Sequence, residues 1–443
     1  MEEIKMKDSG IKWIGKIPED WDIKRLKYCV RKKITDGPHE TPVFVDDGII
    51  FLSVDSIQDA KIVFENTRFI SYEDAKRYDK KCKLEKNDVL IGKAASTGKI
   101  AIVDKDVYFQ VWSPLAIVKT RNNILDSNFL RYYLLSPAGQ ENIDNFCTMN
   151  TQKNIAMEDI ERLSIVIPTL QEQLKIAEFL DEKCADIDEI ISKTEKQIET
   201  LEQYKKSLIT ETVTKGINPN VNMVFSNIKQ IGNIPKHWTV KRIRYVLSEN
   251  NGIKVGPFGS SLTGLVLDEG PVKIYGQWNV VDKSFNTGKN YVSLDTYSNL
   301  KKYEVKPHDI LISMMGTIGG CIIVPEGIDK GIMDSHIIKI RLKKFMNPKY
   351  FYYFYDKDNS NAVFDQLEFL KTGSIMDGLN SNILKNINVC IPPLKEQDEI
   401  VNYLDKKCSD IYEILNKQKE SLETLKKYKQ SLIYEYVTGK KRV

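Results

Sequence analysis

Residues 169–215, TLQEQLKIAEFLDEKCADIDEIISKTEKQIETLEQYKKSLITETVTK, recur as residues 393–439, PLKEQDEIVNYLDKKCSDIYEILNKQKESLETLKKYKQSLIYEYVTG, at a constant offset of 224. Self-similarity over so long a period makes the chain a tandem duplication, and whatever fold one half adopts must serve the other. The halves also align ahead of these segments: IGKIPEDWDIKRLKY from Ile14 matches IGNIPKHWTVKRIRY from Ile231, and DVLIGKAASTGKIAIV from Asp88 matches DILISMMGTIGGCIIV from Asp309. Each half is therefore one globular module followed by one long helical segment. With 443 residues, 42% of them hydrophobic, both modules can bury a core.

Inside the modules, short apolar runs such as residues 100–103, 116–118, 321–324 and 337–340 are separated by Gly, Asn, Asp and Pro turns, with a few helical stretches such as residues 127–135. This pattern predicts strand-rich, mixed α/β modules. In the repeated segments, Leu180, Ile187, Ile191, Thr194 and Leu201, and again Leu404, Ile411, Leu415, Gln418 and Leu425, belong to a series spaced by alternating three- and four-residue steps. That spacing is the a/d seam of a coiled coil. Nearly five heptads without Gly or Pro make about 50 Å of helix at about 1.5 Å per residue, longer than one such module can cover. A pseudo-twofold axis perpendicular to the helices makes them antiparallel, with the modules at opposite ends. The expected fold class is α+β: two strand-rich modules over residues 1–168 and 218–392, separated by two long helices over 169–217 and 393–443 that form an antiparallel coiled coil. Two seam positions are polar in both copies, Thr194 with Gln418 and Lys205 with Lys429. Thr194 and Gln418 either face one another in a register-setting polar layer or lie at the wet edge of the seam.

The net charge of +4 is too small to identify a nucleic-acid partner, but its distribution is uneven. Residues 226–392 carry 21 Lys+Arg against 15 Asp+Glu, residues 1–168 carry 26 of each, and residues 169–225 carry 7 against 11. A basic module beside a slightly acidic helix is compatible with DNA binding, which phosphate contacts dominate. The first thirty residues lack a secretory pattern and no run of about eighteen apolar residues occurs, so a cytoplasmic protein without a membrane span is expected. Seven cysteines without a Cys-x-x-Cys spacing read as reduced, mostly buried small hydrophobes. Catalytic signatures are mostly missing. Residues 92–100, GKAASTGKI, imitate a phosphate loop, but five residues separate the glycines, Ile100 stands where Ser or Thr would bind magnesium, and Gly320 replaces Lys99 in the repeat. The two-proline site Pro392-Pro393 enters a helix and is no base-flipping Asn/Asp-Pro-Pro-aromatic loop. Asp295 with Glu304 and Lys306 resembles a nuclease metal site by spacing alone, and His39, His237, His308 and His336 form no metal-ligand cluster.

Taken together, IP-x-x-W at residues 17–21 and 234–238, IP-x-L-x-EQ at 167–173 and 391–397, Leu-x-x-Tyr-Lys-x-Ser-Leu-Ile at 201–209 and 425–433, and GPFGSSL at 256–262 resemble the specificity subunit of a type I DNA restriction-modification system, over nearly the whole chain. The resemblance implies that each module is a target recognition domain reading one half of a split site on double-stranded DNA. It also implies that the helices are spacers binding two methyltransferase subunits and, through them, two restriction/motor subunits. No activity would then reside in this chain and it would hold no cofactor; S-adenosylmethionine would belong to the methyltransferase, ATP and Mg to the motor.

Independently, two modules that share a frame, differ in their middles and are held apart by a rod form a ruler for a bipartite site. Specificity then lies in loop side chains that reach base edges. Internal alignment pairs three candidate loops: residues 35–41 with 255–261, 93–99 with 314–320, and 53–56 with 276–279. Their candidate DNA contacts are Thr35, His39, Thr41, Ser53, Asp55, Lys93, Ser96, Thr97 and Lys99 in the first module, and Lys254, Ser260, Ser261, Gln277, Asn279 and Thr317 in the second. Two other classes remain: a coiled-coil adaptor that recognises protein predicts no salt-sensitive duplex binding, and a stand-alone methylase predicts cofactor binding by the isolated chain.

Overall fold

In a computed structural model, residues 5–149, 152–249, 252–257, 261–315, 318–371 and 378–443 are described. The chain divides into two compact units, Met1–Glu195 with Glu420–Val443, and Lys196–Lys419, each containing one module and a stretch of both long helices.

In the first unit a four-stranded antiparallel sheet runs in the order Ile100–Ile102, Val89–Gly92, Leu115–Val118, Thr35–Asp36. Its three longer strands are buried at every position because the sheet is covered on both faces. The two-residue side-chain period divides them: Val89, Ile91, Ile100, Ile102, Ala116 and Val118 enter one core with the helix Ser127–Leu135. Leu90, Ala101, Leu115 and Ile117 enter another with a second sheet. That sheet has the order Phe109–Val111, Ile49–Leu52, Arg68–Ile70, Phe44–Val45, its first two strands being parallel.

The second unit repeats the first sheet as Cys321–Ile323, Ile310–Ser313, Ile337–Ile340, Ile253–Val255. Its second sheet runs Tyr291–Val292, Val272–Tyr275, Gly331–Met333, Glu304–Val305, with Val272–Tyr275 parallel to Gly331–Met333. On one edge the Phe44–Val45 pairing with Arg68–Ile70 is reduced in the second module to a single bridge of Leu267 to Tyr291, and on the other edge the second module adds Glu304–Val305 beside the parallel partner.

The long helices, Leu170–Lys215 and Leu394–Val437, begin in the same way. The fully buried Gln173 amide donates to the carbonyls of Ile124 and Pro168 and accepts from the Asp126 N–H; Gln397 does the same with Phe345, Pro392 and Asn347. The preceding Glu172 and Glu396 accept the indole N–H of Trp21 and Trp238. Those contacts explain the paired IP-x-x-W and EQ motifs, which weld each module to its helix. In the first unit the end of the second helix meets the N-terminal segment: the Lys440 ammonium donates to the Ile14 carbonyl at 3.2 Å, and Arg442 pairs with Asp20 at 2.5 Å.

Within each unit the helices pair antiparallel. In the first, Asp188 and Glu195 pair with Lys429 and Lys426; in the second, Glu202 pairs with Lys419 and the Lys205 ammonium donates to the Tyr412 hydroxyl. The seam positions Leu180, Ile187, Thr194, Leu404, Ile411 and Leu415 are buried, and Ile191, Leu201, Gln418 and Leu425 half-buried. This register corrects one of the two alternatives, the polar layer in which Thr194 faces Gln418. Thr194 lies level with Leu425, and Gln418 level with Leu201. Thr194 satisfies its hydroxyl on the Ile190 carbonyl of its own helix, so it needs no partner across the seam.

Candidate nucleic-acid interface

The first candidate loop leaves the edge strand Thr35–Asp36 through Gly37-Pro38. A Cβ on Gly37 would lie 2.0 Å from the Val111 carbonyl oxygen, so only glycine lets the loop pass so close to the second sheet. Asp36, 5% exposed, is the anchor: Lys81 reaches one oxygen at 2.7 Å, and Lys93 and His39 reach the other at 2.9 and 3.0 Å. Burial alone would raise its pKa, but the two ammoniums outweigh burial and hold the carboxyl below its ordinary value. Nearby, Glu40 accepts from Arg77 at 2.5 Å and from the Tyr78 hydroxyl at 2.9 Å, which fastens the loop to the helix Tyr72–Cys82.

Lys93 belongs to the second candidate loop, so Asp36 joins the first two loops directly. This second loop links strands Val89–Gly92 and Ile100–Ile102 as a hairpin. No helix follows it, unlike a phosphate loop. Thr97 donates to the Lys153 carbonyl at 2.6 Å, and the Lys99 ammonium to the Val54 carbonyl at 3.4 Å. Val54 lies in the third loop, where Ser53 and Ser56 cap a short 3-10 turn. The three loops are thus contiguous in the first module. His39, Thr41 and Asp55 are exposed on them, while Thr35, Ser53, Lys93, Ser96, Thr97 and Lys99 are half-buried. A polar cleft of about 530 Å³ beside the third loop adds Arg68 and Trp112, which internal alignment did not single out.

In the second module the equivalent loop contains Gly256-Pro257, and a Cβ on Gly256 would lie 1.6 Å from the Asp334 carbonyl oxygen. Ser261 is exposed; Ser260 and Thr317 lie outside the described residues. Gln277 of the third loop donates to the Met315 carbonyl of the second at 2.7 Å. Asn279 is a correction. It has no exposed surface, accepts from the Gly276 N–H, and donates to the Ser284 and Thr287 carbonyls, so its amide closes the turn and is unavailable to a base. A cleft of about 840 Å³ opens between the first two loops, lined by Lys254, Tyr303, Met314, Met315, His336 and Lys385 among others. Lys385, His336 and Tyr303 escaped alignment because they come from segments distant in sequence.

The modules build the same joint from different chemistry. Asp36 stands opposite Ala116 as Val255 stands opposite Ile338, and the Lys93 N–H donates to the Pro114 carbonyl as the Met314 N–H does to His336. The Asp36–Lys93 ion pair of the first module is therefore replaced by Val255 and Met314 in the second.

The family model for the type I restriction modification DNA specificity domain matches residues 18–200 and 265–424. The chain is 28% identical over 442 residues to the putative type I restriction enzyme MjaX specificity subunit of Methanocaldococcus jannaschii, covering 97% of this chain and 96% of that one. It is 22% identical to the type I restriction enzyme EcoKI specificity subunit of Escherichia coli over 88% of this chain and 83% of that one. A solved structure described as the structural basis underlying complex assembly and conformational transition of the type I R-M system shares the fold, with a TM-score of 0.69 at 16% identity, over 96% of this chain and 99% of that one.

Proposed function

Because the chain belongs to the type I restriction modification DNA specificity family, we propose that its two modules, residues 1–168 and 218–392, each read one half of a bipartite site on double-stranded DNA. The chain is the DNA specificity subunit of a type I restriction-modification system, a non-catalytic component that works in a complex with other subunits. The finer assignments are our reading. The helical segments 169–217 and 393–443 set the spacing and dock two methyltransferase subunits, through which restriction/motor subunits join. S-adenosylmethionine is held by the methyltransferase, and ATP and Mg by the motor. Among the described residues no helix is long and apolar enough to cross a membrane, and the proposed compartment is the cytoplasm, where DNA is reached.

One observation carries this reading: both modules present the same loops on the same strand frame, while the side chains at matching positions differ, as Asp36 and Lys93 differ from Val255 and Met314. A shared frame with divergent tips is what reading two different base sequences requires. The exposed candidates His39, Thr41, Asp55 and Ser261, with half-buried Lys254 and Gln277, are the proposed base-edge contacts. The test replaces residues 250–384 with the equivalent region of a related subunit and maps methylated bases in the host genome. One half-site should change and the other persist; alteration of both, or of neither, refutes the assignment.

A further inference from the structure

The segments 14–28 and 231–245 keep some side chains and change others, and most of what they keep has a structural reason. Ile14, Ile17 and Trp21, with Ile231, Ile234 and Trp238, are buried, and Pro18 and Pro235 close the strands Lys16–Pro18 and Asn233–Pro235. Gly15 and Gly232 hold φ of 69° and 74°, which other residues resist. Exposed positions between them drift: Glu19, Asp20 and Asp22 become Lys236, His237 and Thr239. Four further positions keep their chemistry without any such reason. Lys24, Arg25, Lys27 and Tyr28 recur as Lys241, Arg242, Arg244 and Tyr245.

The backbone holds both sets identically. The Leu26 N–H donates to the Leu163 carbonyl as that of Ile243 does to Ile387, both at 2.8 Å, and each set ends in a 3-10 turn anchored by buried Leu26 or Ile243. Tyr28 is 59% exposed and Tyr245 58%. Among the described residues no carboxylate pairs with any of the six cations; Arg242 and Arg244 bond only neutral oxygens, the Asn386 amide oxygen and, for Arg244, also the Lys385 carbonyl.

Placement ties the turns to the candidate loops. Each turn packs on a short helix, Met157–Arg162 or Ser381–Asn386. The residue ahead of that helix's N-cap is clipped to the second candidate loop, Ile155 N–H to the Lys93 carbonyl and Leu379 N–H to the Met314 carbonyl. In both modules the basic turn is thus one element away from the proposed reading surface.

Resting on the reading that the modules bind DNA, we propose that these two turns are sequence-independent contacts to the sugar-phosphate backbone, one set per module. What is exposed and shared by modules that read different bases cannot itself be reading bases. The exchange of Lys27 for Arg244 keeps the charge while changing the donor geometry, as a phosphate contact allows. The exposed tyrosine adds a hydroxyl and an apolar face for the sugar.

The test uses the specificity subunit reconstituted with its methyltransferase, measuring duplex affinity against salt for K24Q/R25Q/K27Q and for K241Q/R242Q/R244Q. Each triple should flatten the slope of log affinity against log salt by about 2 to 3, at about 0.9 for each phosphate no longer neutralised. Affinity should fall equally on cognate DNA and on DNA altered in one half-site, and K241R/R242K/R244K should keep the wild-type slope. An unchanged slope overturns the proposal. So does a triple that keeps its circular dichroism but no longer assembles with the methyltransferase, which would make the turn a protein-docking surface. A wild-type complex with no half-site preference, whose triples still flatten the slope, would instead defeat the parent reading and leave this contact standing.

Discussion

Asp36 shows how one carboxylate can organise a recognition surface: it joins two loops, a helix and three basic side chains in the first module. Replacing it with Asn keeps the shape and removes the charge that Lys81 and Lys93 oppose. D36N should destabilise the first module by about 1–3 kcal/mol, the cost of leaving a partly buried polar group badly paired. It should also weaken recognition of one half-site while the other is retained, since Val255 and Met314 do not depend on charge. Denaturant unfolding and methylation of half-site variants measure the two effects. The pH dependence follows from the depressed carboxyl. Stability contributed by such a group is present above the ordinary carboxylate range and is lost as pH falls through its lower folded value. The pairing of Asp36 with Lys81 and Lys93 should therefore persist from pH 5 to 8 and release only below about pH 4. Aspartate at position 36 was visible in the sequence, but its role was not, because Lys81 and Lys93 lie 45 and 57 positions away.

At the scale of the element, the long helices owe their seam to heptad spacing and their pairing preference to charges beside it. Glu195 pairs with Lys426 and Glu202 with Lys419, although Glu195 and Lys419, like Glu202 and Lys426, are equivalent residues of the repeat. The duplicated helices have thus acquired opposite signs at matching flanking positions, so each suits the other better than a copy of itself. Reversing the second helix with K419E/K426E should cost about 1–2 kcal/mol at low salt and less at high salt, since these exposed pairs are individually weak. Adding E195K/E202K should restore stability; thermal unfolding at two ionic strengths tests both steps, and no recovery would show that the flanking charges do not select the pairing. Seam residues were legible because a 3.5-residue period survives any context. Register was not, because Thr194 and Gln418 fit the spacing equally well at several offsets, and only the cross-helix ion pairs choose one.

For the whole molecule, the proposed ruler can be lengthened. One seam-matched heptad inserted after Thr194 and another after Thr424 enter at the same level of the observed register and add about 10 Å at about 1.5 Å per residue. At about 3.4 Å per base pair, the preferred spacer between unchanged half-sites should grow by about three base pairs. Methylation of a library varying only in spacer length, using the reconstituted complex, measures the shift. An active insertion variant with its original preference would leave the helices as a docking platform without a measuring role.

The duplication, the strand-rich modules, the antiparallel coil and the family were legible without any structure, because repeats and periodicities are local and survive without knowledge of contacts. The IP-x-x-W and EQ motifs could be recognised as signatures, yet only the tertiary structure revealed why they travel together: the indole donates to the Glu, and the Gln amide closes the helix entry. Only the structure removed Asn279 from the candidate contacts, since burial and three spent hydrogen bonds have no local signal. It alone brought Lys385 and His336 to the cleft, and revealed that one joint is ionic in the first module and apolar in the second. Contacts between distant segments depend on how strands cross and sheets stack, which no short window of sequence encodes.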